Sequence, residues 1–194
     1  MKHVASNLIV MVILCFVAFA PVRLFAQDST LIAFKLEDQF DQAHTDRDYR
    51  ESIVIIIGSD KNGSKYNGVW SKAIRDSLKQ EKNFAQIKFL PVADVRGVPF
   101  FIKGFVKGKF PKEKERWVLL DWKGRLAKAY NFESESCNIV IFGRNGVVVH
   151  KTYGQELDHQ KLAVIVEKLR QSMKELSGAS ESGSGAALRV KSNH

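Results

Sequence analysis

The run Ile53-Val54-Ile55-Ile56-Ile57, closed by Gly58, constrains the fold more than any other stretch of the chain. Every side chain in it is β-branched, which favours extended backbone. Successive residues of a strand point to opposite faces, so an unbroken apolar strand is buried on both. Such a strand belongs inside a sheet covered on each side, which predicts an α/β architecture. The next pieces fit that picture. Gly58 to Ser64 is a polar loop. Trp70, Ala73, Ile74, Ser77 and Leu78 share one face of a helix from about Asn67 to Glu81, with Asn67 as its cap. Ile87 to Val92 is a second strand, with Pro91 near its end. A strand–helix–strand unit predicts a parallel pair joined by a right-handed crossover.

The closing half pairs two further strands with a long helix. Ile139 to Phe142 and Val147 to Val149 flank Gly143-Arg144-Asn145-Gly146, and Asn-Gly predicts a tight primed hairpin turn. Leu162, Ile165, Val166, Leu169, Met173 and Leu176 recur at helical spacing from Asp158 to about Leu176. Asp158 caps that helix, Leu157 and Leu162 form a hydrophobic staple, and Gly178 ends the pattern. Between the two halves, Phe100, Phe101, Phe105 and Phe110 suggest a helix packed on the sheet, interrupted by Gly97, Gly104 and Gly108. Pro111 to Arg116 is a charged linker. Trp117 to Leu120 reads as a strand, Asp121 to Gly124 as a turn, and Arg125 to Phe132 as a short helix or extended piece. Phe34 to Phe40 alternates as an edge strand or hairpin arm, and Asp41 to Asp48 is turn-like.

Both ends read differently from this middle. Residues 1–26 have a secretory-signal pattern: Lys2, an apolar run from Leu8 to Ala20, and Leu24-Phe25-Ala26 before a cut. The run is short for a membrane span, which disfavours the competing reading of an uncleaved anchor. Residues 177–194 are rich in Ser and Gly and short of apolar residues, which predicts a disordered tail. Residues 27–176 remain as one domain of about 150 residues, long enough to bury most of its core. The predicted location is periplasmic or secreted, after cleavage near Ala26. Cys15 would leave with the leader, so Cys137 would stand alone with no intramolecular disulfide partner.

The net charge of +9 is spread out, with one local concentration from Lys103 to Arg116. No helix-turn-helix, zinc-finger or aromatic RNA-binding pattern accompanies it, which argues against nucleic acid as a partner. A solvated basic face is the first reading of that stretch, and a weak contact with an anionic surface the alternative.

Particular segments resemble thioredoxin-like chains of the redoxin and peroxiredoxin type. Phe34-Lys35-Leu36-Glu37-Asp38-Gln39-Phe40 is similar to their F-x-L-x-D-x-x-G opening, with Asp41 where Gly is usual. Asn138 to Gly146 resembles their TTFLIDRDG strand and turn, with Gly143 in the Asp position. Val118 to Val148, including Glu133-Ser134-Glu135-Ser136, is similar to exported YtfJ-type thioredoxin-like proteins. The resemblance covers Phe34 to Leu176. It implies a thioredoxin-like sandwich: a central mixed sheet flanked by helices, closed by a hairpin and a C-terminal helix.

That fold performs thiol exchange with a thiolate at the end of the first buried strand, where a helix N-terminus lowers its pKa. Here the place falls between Gly58 and Gly68, and it holds no cysteine. Ser59 and Ser64 cannot replace one. The cis-proline of the fold, before its third strand, aligns with Cys137. The expectation is therefore a non-catalytic interaction module for an envelope protein or peptide. Ser59, Asp60, Asn62, Ser64 and Trp70 are its candidate groove residues, and no cofactor or metal is called for. The bland alternatives are loop and capping roles for the polar residues and a core role for Trp70. The rival function is a redoxin using Cys137 in a mixed disulfide or as a sulfenic acid. Against it stands the possibility that Cys137 is a small buried hydrophobe. Asp60 to Ser64 lacks the spacing of a calcium loop, and His44, His150 and His159 lack metal-ligand spacing with each other or with Cys137. His150 alternates with Val149, which points it to solvent.

Overall fold

The computed structural model describes residues 30–188. The candidate leader, residues 1–26, and positions 189–194 lie outside that range. Seven strands and four α-helices are present among the described residues. A five-stranded sheet has the order β5-β4-β3-β6-β7. Its strands are β3 (Ile53–Ser59), β4 (Ile87–Asp94), β5 (Leu119–Asp121), β6 (Cys137–Phe142) and β7 (Val148–Gly154). β3 pairs parallel with β4, β4 parallel with β5, and β6 antiparallel with both β3 and β7. The aliphatic run thus occupies the middle strand, and all seven of its residues are buried.

Alternation divides the core into two layers. Ile53, Ile55 and Ile57 face Trp70, Ile74 and Leu78 of α1 (Ser64–Leu78), and Ile165, Leu169 and Met173 of α4 (His159–Leu188). Val54 and Ile56 face Phe34, Tyr49, Leu126 and Tyr130 on the other side. There the cover is α3 (Arg125–Ala129) and the N-terminal segment. The predicted staple is present in outline, because Leu157 and Leu162 pack against the same core layer. Asp158 Oδ1 accepts from the Gln160 and Lys161 amides at 2.8 and 3.0 Å, so it caps α4 as expected.

Several expectations need correction. α1 begins three residues earlier than expected, so Asn67 lies within it and caps nothing. The turn-like stretch after Phe40 contains β2 (Ala43–Thr45), paired with β1 (Lys35–Glu37), and a 3₁₀ turn, Asp46–Tyr49. Asp41 has φ +64°, the left-handed conformation for which glycine is usual at this place in the resembling motif. The hairpin turn is not primed. The Gly146 amide donates to Gly143 O, the Gly143 amide to Val147 O, and Gly146 alone takes positive φ, at +76°. This is a type I turn closed by a left-handed glycine. A bulge follows. Ile141 pairs with His150 but Phe142 pairs with Val148, so Val149 is the extra residue. Val149 is consequently exposed, and His150, expected to face solvent, is half-buried.

The helix expected between Arg96 and Lys109 is reduced to a 3₁₀ turn, Phe100–Ile102, and α2 (Lys103–Lys107). Its glycines forgo the side-chain contacts that would hold it to the sheet, and Phe101 and Phe105 face solvent. α4 continues to Leu188, through Gly178 and into the segment expected to be disordered. Extending a helix already anchored by packing needs no new nucleus, which favours continuation.

Candidate functional site

The loop between β3 and α1 is closed rather than open. Asp60 bridges two segments, accepting from the Gly63 amide through Oδ1 at 2.7 Å and from the Glu135 amide through Oδ2 at 2.8 Å. Asn62 Nδ2 donates to Glu135 Oε1 at 3.0 Å. Asn138, buried at the start of β6, holds the facing loop: its Oδ1 accepts from the Glu133 amide at 2.7 Å, and its Nδ2 donates to Glu133 O at 2.9 Å and Ser136 O at 3.1 Å. Gly63 sits directly before α1 with its Cα against this loop. A Cβ there would lie 2.6 Å from Ser136 N and 2.8 Å from its carbonyl carbon, and closer still to its oxygen. Any side chain at 63, a thiol included, would have to push Ser136 aside.

Cys137 does not face this loop. The backbone of Ser136 takes that position, and Cys137, the first residue of β6, is 0% exposed in the core layer that holds Trp70. Burial pushes its thiol up to about 12, the opposite of what a nucleophilic thiolate requires. No cis peptide bond occurs among the described residues.

The five candidate groove residues separate. Asp60 and Asn62 form the clasp just described. Ser64 Oγ donates to Lys61 O at 2.7 Å. Ser59 is buried and accepts from Asn67 Nδ2 at 2.8 Å. Trp70 is 0% exposed, and its indole N–H donates to Gln155 O at 3.2 Å, so it is a core residue and no part of a groove.

A groove of about 530 Å³ does exist beside the clasp, running along α1 from Ser64 to Arg75. One wall is α1, through Ser64, Asn67, Ser71 and Arg75; the floor is Phe89 and Pro91; the other wall is the stretch 111–118. The stretch read as a charged linker is therefore a built wall. Gln39 staples it: its Nε2 donates to Pro111 O and Arg116 O, both at 3.1 Å, and its Oε1 accepts from the Val118 amide at 2.8 Å. Trp117 on the same wall stacks on His44, ring centroids 4.5 Å apart, and His44 Nε2 lies 3.2 Å from Asp38 Oδ2.

Two features make this groove chemically distinct. Asn67 Oδ1 is buried with no hydrogen-bond partner among the described residues. The Arg75 guanidinium lies 3.6 Å from the Phe89 ring centroid and has no carboxylate within ion-pair distance among the described residues. Partial burial lowers its pKa from the ordinary value. Sequence reasoning missed Gln39, Asn67 and Arg75 as groove-forming residues. The partners of Gln39 lie more than seventy residues away in the chain, and the wall that Asn67 and Arg75 face is the distant 111–118 stretch, so no local spacing marks them.

No protein-family profile matches this chain. No curated protein sequence matches it either. Solved structures do. An exposed lipoprotein thioredoxin of Streptococcus pneumoniae superimposes with TM-score 0.50 at 18% identity, covering 74% of this chain and 99% of its own. A Bacteroides thetaiotaomicron protein assigned as a disulfide isomerase gives 0.52 at 16%, covering 76% and 89%. Yeast Sco1 gives 0.51 at 14%, covering 75% and 97%. Identities this low establish the fold alone. With its mixed sheet, crossover helix and closing hairpin and helix, the chain has a thioredoxin-like fold, and the loop entering its first long helix carries no cysteine.

Proposed function

We propose that this is a non-catalytic thioredoxin-fold binding module that holds a peptide segment in the groove between α1 and residues 111–118. The observation that carries the reading is the closure of the loop end. With Gly63 pressed on Ser136 and Asp60 tying the two loops, the place for an active-site thiol is sterically filled. The buried Cys137 supports the same conclusion. The groove supplies what a peptide needs. Arg75 lines the groove with no acid within ion-pair distance among the described residues and can receive a carboxylate. Arg116 stands on the opposite wall beside Glu115. Placement outside the cytoplasm, after cleavage near Ala26, belongs to this reading, as does kinship with YtfJ-type proteins. The leader pattern and the exposed lipoprotein among the structural neighbours support the location.

Two assays test it. The protein should neither reduce insulin disulfides with dithiothreitol nor consume peroxide. Turnover abolished by Cys137→Ser would replace the binding reading with the redoxin one. A hexapeptide pool with free C-termini should shift the amide resonances of Ser64, Asn67, Ser71 and Trp117, and a C-terminally amidated pool should do so weakly. Shifts confined to the 59–63 loop would move the site back to the clasp.

A further inference from the structure

The exposed aromatic pair on α2 and its approach is unused by the groove. Phe101, in the 3₁₀ turn, and Phe105, in α2, are 82% and 67% exposed and four residues apart in the chain. Isolated surface apolar residues are ordinary, but two neighbouring phenylalanines this bare are not. The surrounding charge has one dominant sign. Lys103, Lys107, Lys109, Lys112, Lys114 and Arg116 stand against Glu113 and Glu115 in the stretch 103–116, a balance of six positive to two negative. Lys107 is ion-paired to Asp41, and Arg116 lies 3.7 Å from Glu113. Lys109 Nζ sits 4.6 Å from the Phe105 ring centre, and Lys103 Nζ 4.8 Å from that of Trp122. Lys112 and Lys114 are exposed.

We infer that Phe101, Phe105 and the lysines around them form a docking surface for an anionic lipid bilayer. The rings would sit at the boundary between head groups and acyl chains while the ammonium groups contact anionic head groups. Charge complementarity selects this occupant: a zwitterionic surface would leave the lysines unanswered, and α2 is far too short to enter a bilayer end-on. The inference stands independently of what the groove holds.

The test is co-sedimentation of the full chain with vesicles of phosphatidylcholine, alone or with phosphatidylglycerol at three parts in ten. The apolar stretch 8–20 can also bind lipid, so the readout is the difference between variants. Phe101→Ser/Phe105→Ser should lower partition onto the anionic vesicles at least tenfold. Lys109→Gln/Lys112→Gln/Lys114→Gln should lower it and flatten its salt dependence. Both variants should melt as the parent does, because the altered side chains are exposed. Partition unchanged in both variants would assign binding to residues 8–20 and overturn the proposal. So would equal partition onto neutral vesicles. Loss of binding with an acidic Glu/Leu peptide as the preferred ligand would make a protein the occupant instead.

Discussion

The loop that enters α1 and the groove-facing side of α1 meet opposite situations. At the first, Gly63, Asp60 and Asn62 meet the 133–136 loop in a mesh of short hydrogen bonds that leaves no room for a side chain. Along the helix side, Asn67, Ser71 and Arg75 line a groove whose far wall is held by Gln39 and by the stacking of Trp117 on His44. The closed end is where this fold ordinarily places reactive sulfur. The groove side has a guanidinium that rests on Phe89 and Ser71 with no carboxylate within ion-pair distance among the described residues. The two regions are held by different contacts, so a change in one need not disturb the other.

Substitutions should separate the two regions. The largest effect is expected at Gly63→Cys, which forces a side chain into the Ser136 backbone and should cost about 3 kcal/mol in a urea titration. It should also gain no insulin reductase activity. An active, stable variant would show that the end is only unoccupied and not closed. Gln39→Ala comes next. It strips the 111–118 wall of three hydrogen bonds, two of which water can replace, for a loss of about 2 kcal/mol. Amide exchange in the wall should rise while the 59–63 loop stays protected.

Arg75→Ala should be nearly silent for stability, within about 0.5 kcal/mol, because the guanidinium is half-exposed and pairs with no acid. It should nevertheless abolish the preference for free over amidated peptide C-termini. If stability falls and the preference survives, the groove reading fails. The smallest effect concerns pH. Burial, and then Lys168, lower the His150 pKa below its ordinary 6.5. The unfolded chain therefore takes up the proton first as pH falls. This contribution is complete above pH 6.5 and is lost as pH drops through the folded-state value. Urea midpoints of parent and His150→Gln at pH 7.5 and 5 measure it.

The architecture was legible wherever one periodicity ruled. Ile53 to Ile57 could only be a doubly buried strand, and the stripe from Leu162 to Met173 only a helix facing it. The failures fell where contacts distant in sequence decide. The register of β6 on β7 turns His150 inward through one bulged residue, which no alternation pattern reveals. Phe101 and Phe105 read as core because aromatic residues commonly are; the glycines around them left nothing to fasten them to the sheet. Cys137 was one residue away from the position that faces the loop, and in a strand one residue is the difference between two faces. The absence of sulfur between Gly58 and Gly68 was plain from the sequence. That the space itself is filled, by the backbone of Ser136, required coordinates.

The state of Cys137 separates a sealed core thiol from a reactive one. Modification by Ellman's reagent at pH 8, followed by peptide mapping to distinguish Cys137 from Cys15, measures it. A thiol buried in the α1–α4 core layer should stay unmodified in the native protein and react in step with unfolding as urea is added. Stoichiometric labelling of Cys137 within seconds, with the fold intact, would contradict a sealed, sulfur-inert scaffold.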